Sequence, residues 1–99
     1  MIRHIVAWNF KEGFSEEENH KNAVKIKASL EGLAGKVKEL VSIQVVINPL
    51  TTCSRKAILT CLFRSEEDLK AYQVHPEHVK VSGFVGSVTQ DRVCLDFPE

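Results

Sequence analysis

The sequence predicts an α+β domain in which two strand–helix–strand units are joined by a hairpin, and three observations carry that prediction. Apolar residues alternate with period two near residues 2–10, 40–48 and 56–63, as they do in strands packed on a core. Ser15-Glu16-Glu17-Glu18 and Ser65-Glu66-Glu67-Asp68 follow the first and third of these runs, and each is a helix start. A fourth run with a charged middle, residues 87–97, completes the pattern.

The first strand, Ile2 to Phe10, places Ile2, His4, Val6, Trp8 and Phe10 on one face and Ile5, Ala7 and Asn9 on the other. Both faces are largely apolar, which suits a central strand. In the first helix the Ser15 hydroxyl is available to an orphan amide and Glu18 can reach back to complete a capping box. Ala23, Ile26, Leu30 and Leu33 then recur at helical spacing, with Val24, Ala28 and Val37 widening the stripe, until Gly32 and Gly35 fray the end. The second strand, Leu40 to Asn48, sets Val41, Ile43, Val45 and Ile47 on one face. Turn residues from Asn48-Pro49 to Arg55 lead to a third strand, Lys56 to Phe63, where Ala57, Leu59, Cys61 and Phe63 share a face.

The second helix runs from its Ser65 cap through Tyr72 to about Val74 and meets the stretch Tyr72-Gln73-Val74-His75-Pro76-Glu77-His78. Proline lacks an amide hydrogen and disfavours helical geometry in the residue before it, so this helix should stop near His75. Pro76 can open a short helix over Glu77 to about Val81 as its first residue. His78 then lies near a helix N-terminus, whose partial positive charge favours a neutral, proton-accepting imidazole. Gly83 and Gly86 bracket Phe84-Val85 and lead to the last strand, Ser87 to Phe97, whose charged Gln90-Asp91-Arg92 marks an edge.

This order gives a four-stranded antiparallel sheet with both helices on one side, the ferredoxin-like βαββαβ plait. The uncovered face keeps half of each apolar strand, which is too much for a monomer, so the expected particle is a homodimer. Ninety-nine residues suit a single domain over 1–99. Thirteen basic and thirteen acidic side chains cancel, so no nucleic-acid or membrane partner is expected. No apolar segment reaches ~18 residues, and no signal-peptide pattern opens the chain. Cys53, Cys61 and Cys94 are odd in number and lack metal-ligand spacing, with Cys61 and Cys94 in apolar strand patterns, so a reducing cytoplasmic location is expected. His75 and His78 are separated by the proline break and have no spaced carboxylate or thiolate, so no metal is expected.

Arg3 to Phe10, Phe63 to His78 with its Tyr-x-x-His-Pro-x-His run, and the closing Leu95-Asp96-Phe97 resemble the stress-responsive A/B barrel domain, Dabb, over essentially the whole chain. That resemblance implies a dimeric α+β barrel with a small-molecule pocket reached from the helix side. In the family branch that includes the plant olivetolic acid cyclase, the reaction is a cofactor-free aldol cyclisation. The resemblance assigns His78 as base, Tyr72 and His4 as hydrogen-bonding partners, and Val6, Trp8 and His75 as residues beside the substrate, with no cofactor. Ala57 stands where that branch has a further pocket histidine, and Trp8 narrows the space for a long alkyl chain. Two readings therefore stand: a dimer that binds a small hydrophobic or carbonyl-containing ligand, and a cofactor-independent cyclase, lyase or isomerase.

Overall fold

The computed structural model describes all 99 residues. In chain order the elements are β1 (Ile2–Phe10), α1 (Glu16–Glu31), β2 (Leu40–Val46), β3 (Ala57–Phe63), α2 (Glu66–Val74), α3 (Pro76–Val88) and β4 (Thr89–Pro98), with one 3-10 turn, Gly32–Gly35, after α1. The strands form one antiparallel sheet in the order β2-β3-β1-β4. This is the ferredoxin-like plait, with β1 central and β4 at an edge.

The capping chemistry forms as the sequence requires. Ser15 accepts from the Glu18 amide at 3.1 Å and Glu18 accepts from the Ser15 amide at 3.0 Å. Ser65 accepts from the Asp68 amide at 3.1 Å and starts α2. The core lies between helices and sheet: Val6 and Trp8 of β1, Ala57, Leu59, Cys61 and Phe63 of β3, and Ile26 and Leu30 of α1 are all buried. Val24 and Ala28, expected on the buried stripe of α1, are instead exposed, because Ala23, Ile26, Leu30 and Leu33 already fill the contact.

Three boundaries differ from the sequence reading. The helix after Pro76 does not stop at Val81 but continues to Val88, and β4 begins at Thr89 and not at Ser87. Gly83 and Gly86 read as breakers, yet an isolated helical glycine costs only about 1 kcal/mol. Burial of Val85 and Val88, with Val81 and Phe84 packed on the core, outweighs that cost. The Thr89 hydroxyl closes the helix by donating to the Val85 carbonyl at 2.7 Å. In β2 a register shift between Leu40 and Ser42 turns Val41 out to solvent and seats Leu40 in the core, so Val41 does not share the face of Ile43 and Val45. The strand also ends at Val46, short of Asn48.

Both sheet edges are blunted. The ammonium of Lys27 donates to the Val45 carbonyl at 2.6 Å, and Glu31 accepts from the Val45 amide at 2.9 Å, so α1 occupies part of the β2 edge. On the other edge a register shift opposite Ala7–Asn9 leaves Asp91 at φ 56°, held by Asn9 and by the Arg55 guanidinium. The sheet face away from the helices carries three cross-strand rows: Phe97–Arg3–Leu62–Ser42, Leu95–Ile5–Thr60–Gln44 and Val93–Ala7–Ile58–Val46. Its β4 end is apolar and open, with Leu95 56% exposed.

Candidate functional site

The Tyr72–His78 segment is built by the proline break. His75 leaves helical geometry (φ −63°, ψ 132°) and its Nδ1 accepts from the Glu77 amide at 3.1 Å, so it is the N-cap of α3, with Pro76 in the first turn. That use of the ring orients His75 towards the helix start, and it does not line the cavity beside His78. Tyr72 and His78, on opposite sides of the break, pack ring against ring with centroids 4.3 Å apart. Tyr72 also meets Phe63 at 5.2 Å and His4 edge-on at 6.1 Å.

The cavity of about 180 Å³ lies between the sheet and α3, and its walls include His4, Val6, Trp8, His78, Gly86 and Arg92. Tyr72 is wholly buried behind this wall. Its hydroxyl has no hydrogen-bond partner; Cys61 lies beside it, but no well-formed bond joins them. Burial, and secondarily Cys61, pushes the phenol above its ordinary value, so Tyr72 is a neutral donor and not a base. The Cys61 thiol is likewise pushed up to about 12, chiefly by burial, which removes it as a nucleophile.

His78 differs. Its Nδ1 lies 3.2 Å from the Gln73 carbonyl, which can only accept, so Nδ1 carries the proton and the neutral ring keeps its lone pair on Nε2. Burial is the largest influence and lowers its pKa; the Gln73 bond opposes this, while His4, Arg92 and His75 reinforce it. A neutral imidazole at neutral pH follows.

His4 is 3% exposed and its Nδ1 donates to Asp96 at 2.5 Å. Antiparallel pairing sets His4 opposite Asp96 and Val6 opposite Cys94, so the side chains of Cys94 and Asp96 share the face of His4. Cys94, expected in the core, is exposed on the edge strand β4. Sequence reasoning missed Arg92, Cys94 and Asp96 as neighbours of His4. Their spacing of two along a strand was visible, but the register that pairs residue 4 with residue 96 was not. A larger groove of about 650 Å³ lies beside Leu50, Arg55 and His20 and contains none of His4, Tyr72 and His78. No helix is long and apolar enough to cross a membrane.

The family model described as "Stress responsive A/B Barrel Domain" matches residues 2–99. A dimeric protein of unknown function with a ferredoxin-like fold from Bacteroides fragilis superposes with a TM-score of 0.91 at 26% identity, covering 99% of this chain and 95% of that one. A Dabb family protein from Mesorhizobium loti gives 0.74 at 16% identity over 99% and 95% of the two chains. A hydroxynitrile lyase from Passiflora edulis gives 0.72 at 14% identity over 97% and 90%. No functionally curated protein matches the sequence.

Proposed function

The chain belongs to the stress-responsive A/B barrel domain family, and from that premise we propose that it is a homodimeric barrel protein that binds a small carbonyl-containing ligand in the cavity beside His78. The observation that carries this reading is His78 itself: a neutral imidazole in the cavity wall whose Nδ1 proton is committed to Gln73, leaving Nε2 as the free acceptor. About 180 Å³ is below the ~300 Å³ of common small-molecule sites, which favours a compact ligand over a long alkyl chain. Apolar contact comes from Val6 and Trp8, and polar contact from His4 and Arg92.

The same observation favours a second reading, cofactor-independent cyclase, lyase or isomerase chemistry. Nε2 of His78 would take a proton from a carbon flanked by carbonyls, and the C–H electron pair would move to the carbonyl oxygen as an enolate. Arg92 is the cationic group of the cavity able to face that oxygen, while Tyr72, behind the wall, orients His78 through ring packing and is met edge-on by His4. No metal or nicotinamide enters that step. The likeness to the Passiflora lyase supports the fold and not the reaction.

An NMR titration of the four imidazole rings, with and without acetylacetone, tests the binding reading. His78 should titrate below 6.5 and shift with ligand. A His78 ring that ignores the diketone while the fold is intact would overturn the proposal.

A further inference from the structure

Cys94, Asp96 and the Nδ1 edge of His4, at the open end of the β1–β4 pair, are not used by this chemistry. His4 Nδ1, Cys94 Sγ and a carboxylate oxygen of Asp96 all lie within 4.8 Å of one another. The sulfur is 3.8 Å from His4 Nδ1 and 3.5 Å from Asp96 Oδ2. The two histidine and aspartate atoms that share a proton are 2.5 Å apart. We propose that these three side chains form a binding site for a divalent borderline metal ion of the Zn²⁺ class, one donor from each, with the remaining coordination position open to solvent. The inference stands whether or not His78 acts on a ligand.

The donor set fits the ion in type and spacing. Imidazole, thiolate and carboxylate are the three side-chain ligands that Zn²⁺ takes, and three protein ligands plus an open position is the arrangement of a site that also binds a water or substrate. Bond lengths of about 2.0–2.3 Å at tetrahedral angles put donor atoms about 3.3–3.6 Å apart. The 3.5 Å from sulfur to Asp96 Oδ2 lies in that range, and the 3.8 Å from sulfur to His4 Nδ1 exceeds it by about 0.2 Å. Asp96 meets His4 through Oδ1 and the sulfur through Oδ2, so a single carboxylate donor requires its side chain to turn and the 2.5 Å His4–Oδ1 separation to widen by about 0.8 Å once the proton between them leaves. Asp96 can make that movement because its side chain is 39% exposed, whereas His4 is fixed in the core.

Charge closes as well. Binding through Nδ1 places the His4 proton on Nε2 and releases the thiol proton of Cys94, so that one thiolate with one carboxylate neutralises a doubly charged cation. The fold supplies the geometry without loops: Cys94 and Asp96 alternate on one strand and His4 is the direct cross-strand partner of Asp96. Local spacing in the sequence could not find this set, since its members lie 90 and 92 residues from His4.

Titration of the metal-stripped full chain with Co²⁺ tests the site, because a thiolate ligand produces a near-ultraviolet charge-transfer band and four-coordination produces intense ligand-field bands. The expected result is saturation at one Co²⁺ per chain, bleached by Zn²⁺. Cys94→Ser should abolish the charge-transfer band, and both it and Asp96→Asn should weaken binding at least about tenfold. Cys53→Ser should change neither. Both informative positions are exposed, so these variants leave the core intact, which circular dichroism checks. Failure to saturate at one ion per chain, or a band that survives Cys94→Ser, would overturn the proposal.

Discussion

At the residue scale the chemistry rests on which nitrogen holds a proton. Gln73 fixes the His78 tautomer and burial lowers its pKa, so the ring should already be a base at neutral pH. Any proton abstraction from a β-dicarbonyl probe should rise as pH climbs from acid, inflect below 6.5, and level off by neutrality. His78→Gln should remove that rise while leaving the fold intact; an unchanged pH–rate profile would remove His78 from the reaction. Tyr72 supports a contrasting expectation. Its buried hydroxyl satisfies no partner, so Tyr72→Phe should raise stability by about 1 kcal/mol in urea denaturation. A loss of stability would show instead that the hydroxyl is paired in solution. Tyr72, His75 and His78 were legible in the sequence because a proline and two helix patterns position them locally. The partners of His4 were not, because they depend on a pairing between the two ends of the chain.

At the scale of elements the helix starts were legible and α3 was misread, and the reason is energetic. Caps act within four residues and leave a local signature, as Ser15 and Ser65 do. Whether a glycine ends a helix depends on packing that lies elsewhere in the chain, here against Val85 and Val88. Gly83 is exposed inside α3 and nothing lies within 4 Å of where a Cβ would stand. Gly83→Ala should therefore stabilise the protein by about 0.5–1 kcal/mol, read as a rise of several degrees in Tm. The tie between α1 and β2 makes the opposite prediction. Lys27, and secondarily the Val45 amide, hold the Glu31 carboxyl below its ordinary value of 4.5. Because the folded value is the lower one, Glu31 stabilises the fold at neutral pH, and this contribution is lost as pH falls through that folded value. With its side chain 34% exposed, the contribution is discounted to about 1 kcal/mol, so Glu31→Ala should cost about that much at pH 7 and little at strongly acid pH.

At the scale of the whole molecule the question is what covers the second face of the sheet. A chain of 99 residues buries only about 60–65% of its unfolded surface, and leaving Val93, Leu95, Phe97, Ile5 and Leu62 uncovered wastes apolar area it can ill spare. Pairing at the sheet edges is disfavoured, since Lys27 and Glu31 occupy the C-terminal end of β2 and the Asp91 bulge kinks β4. Packing face to face with a second copy is the remaining route. The one charge in that face suits burial: the Arg3 guanidinium is held by both Glu99 oxygens, at 3.0 and 2.8 Å, and by Thr60 at 3.0 Å. Leu95 lies in the middle row, 56% exposed and outside the core cluster, so Leu95→Glu should leave the protomer folded while placing two carboxylates in the dimer interface. Light scattering should then give about twice 11.1 kDa for the wild type at micromolar concentration and 11.1 kDa for the variant. A wild-type particle of 11.1 kDa, or a variant that remains dimeric, would remove this face as the interface. His4, Cys94, Asp96 and the cavity lie on the helix side of the sheet. A monomeric Leu95→Glu protein should therefore keep its Co²⁺ and diketone binding, which would separate assembly from the chemistry of the site.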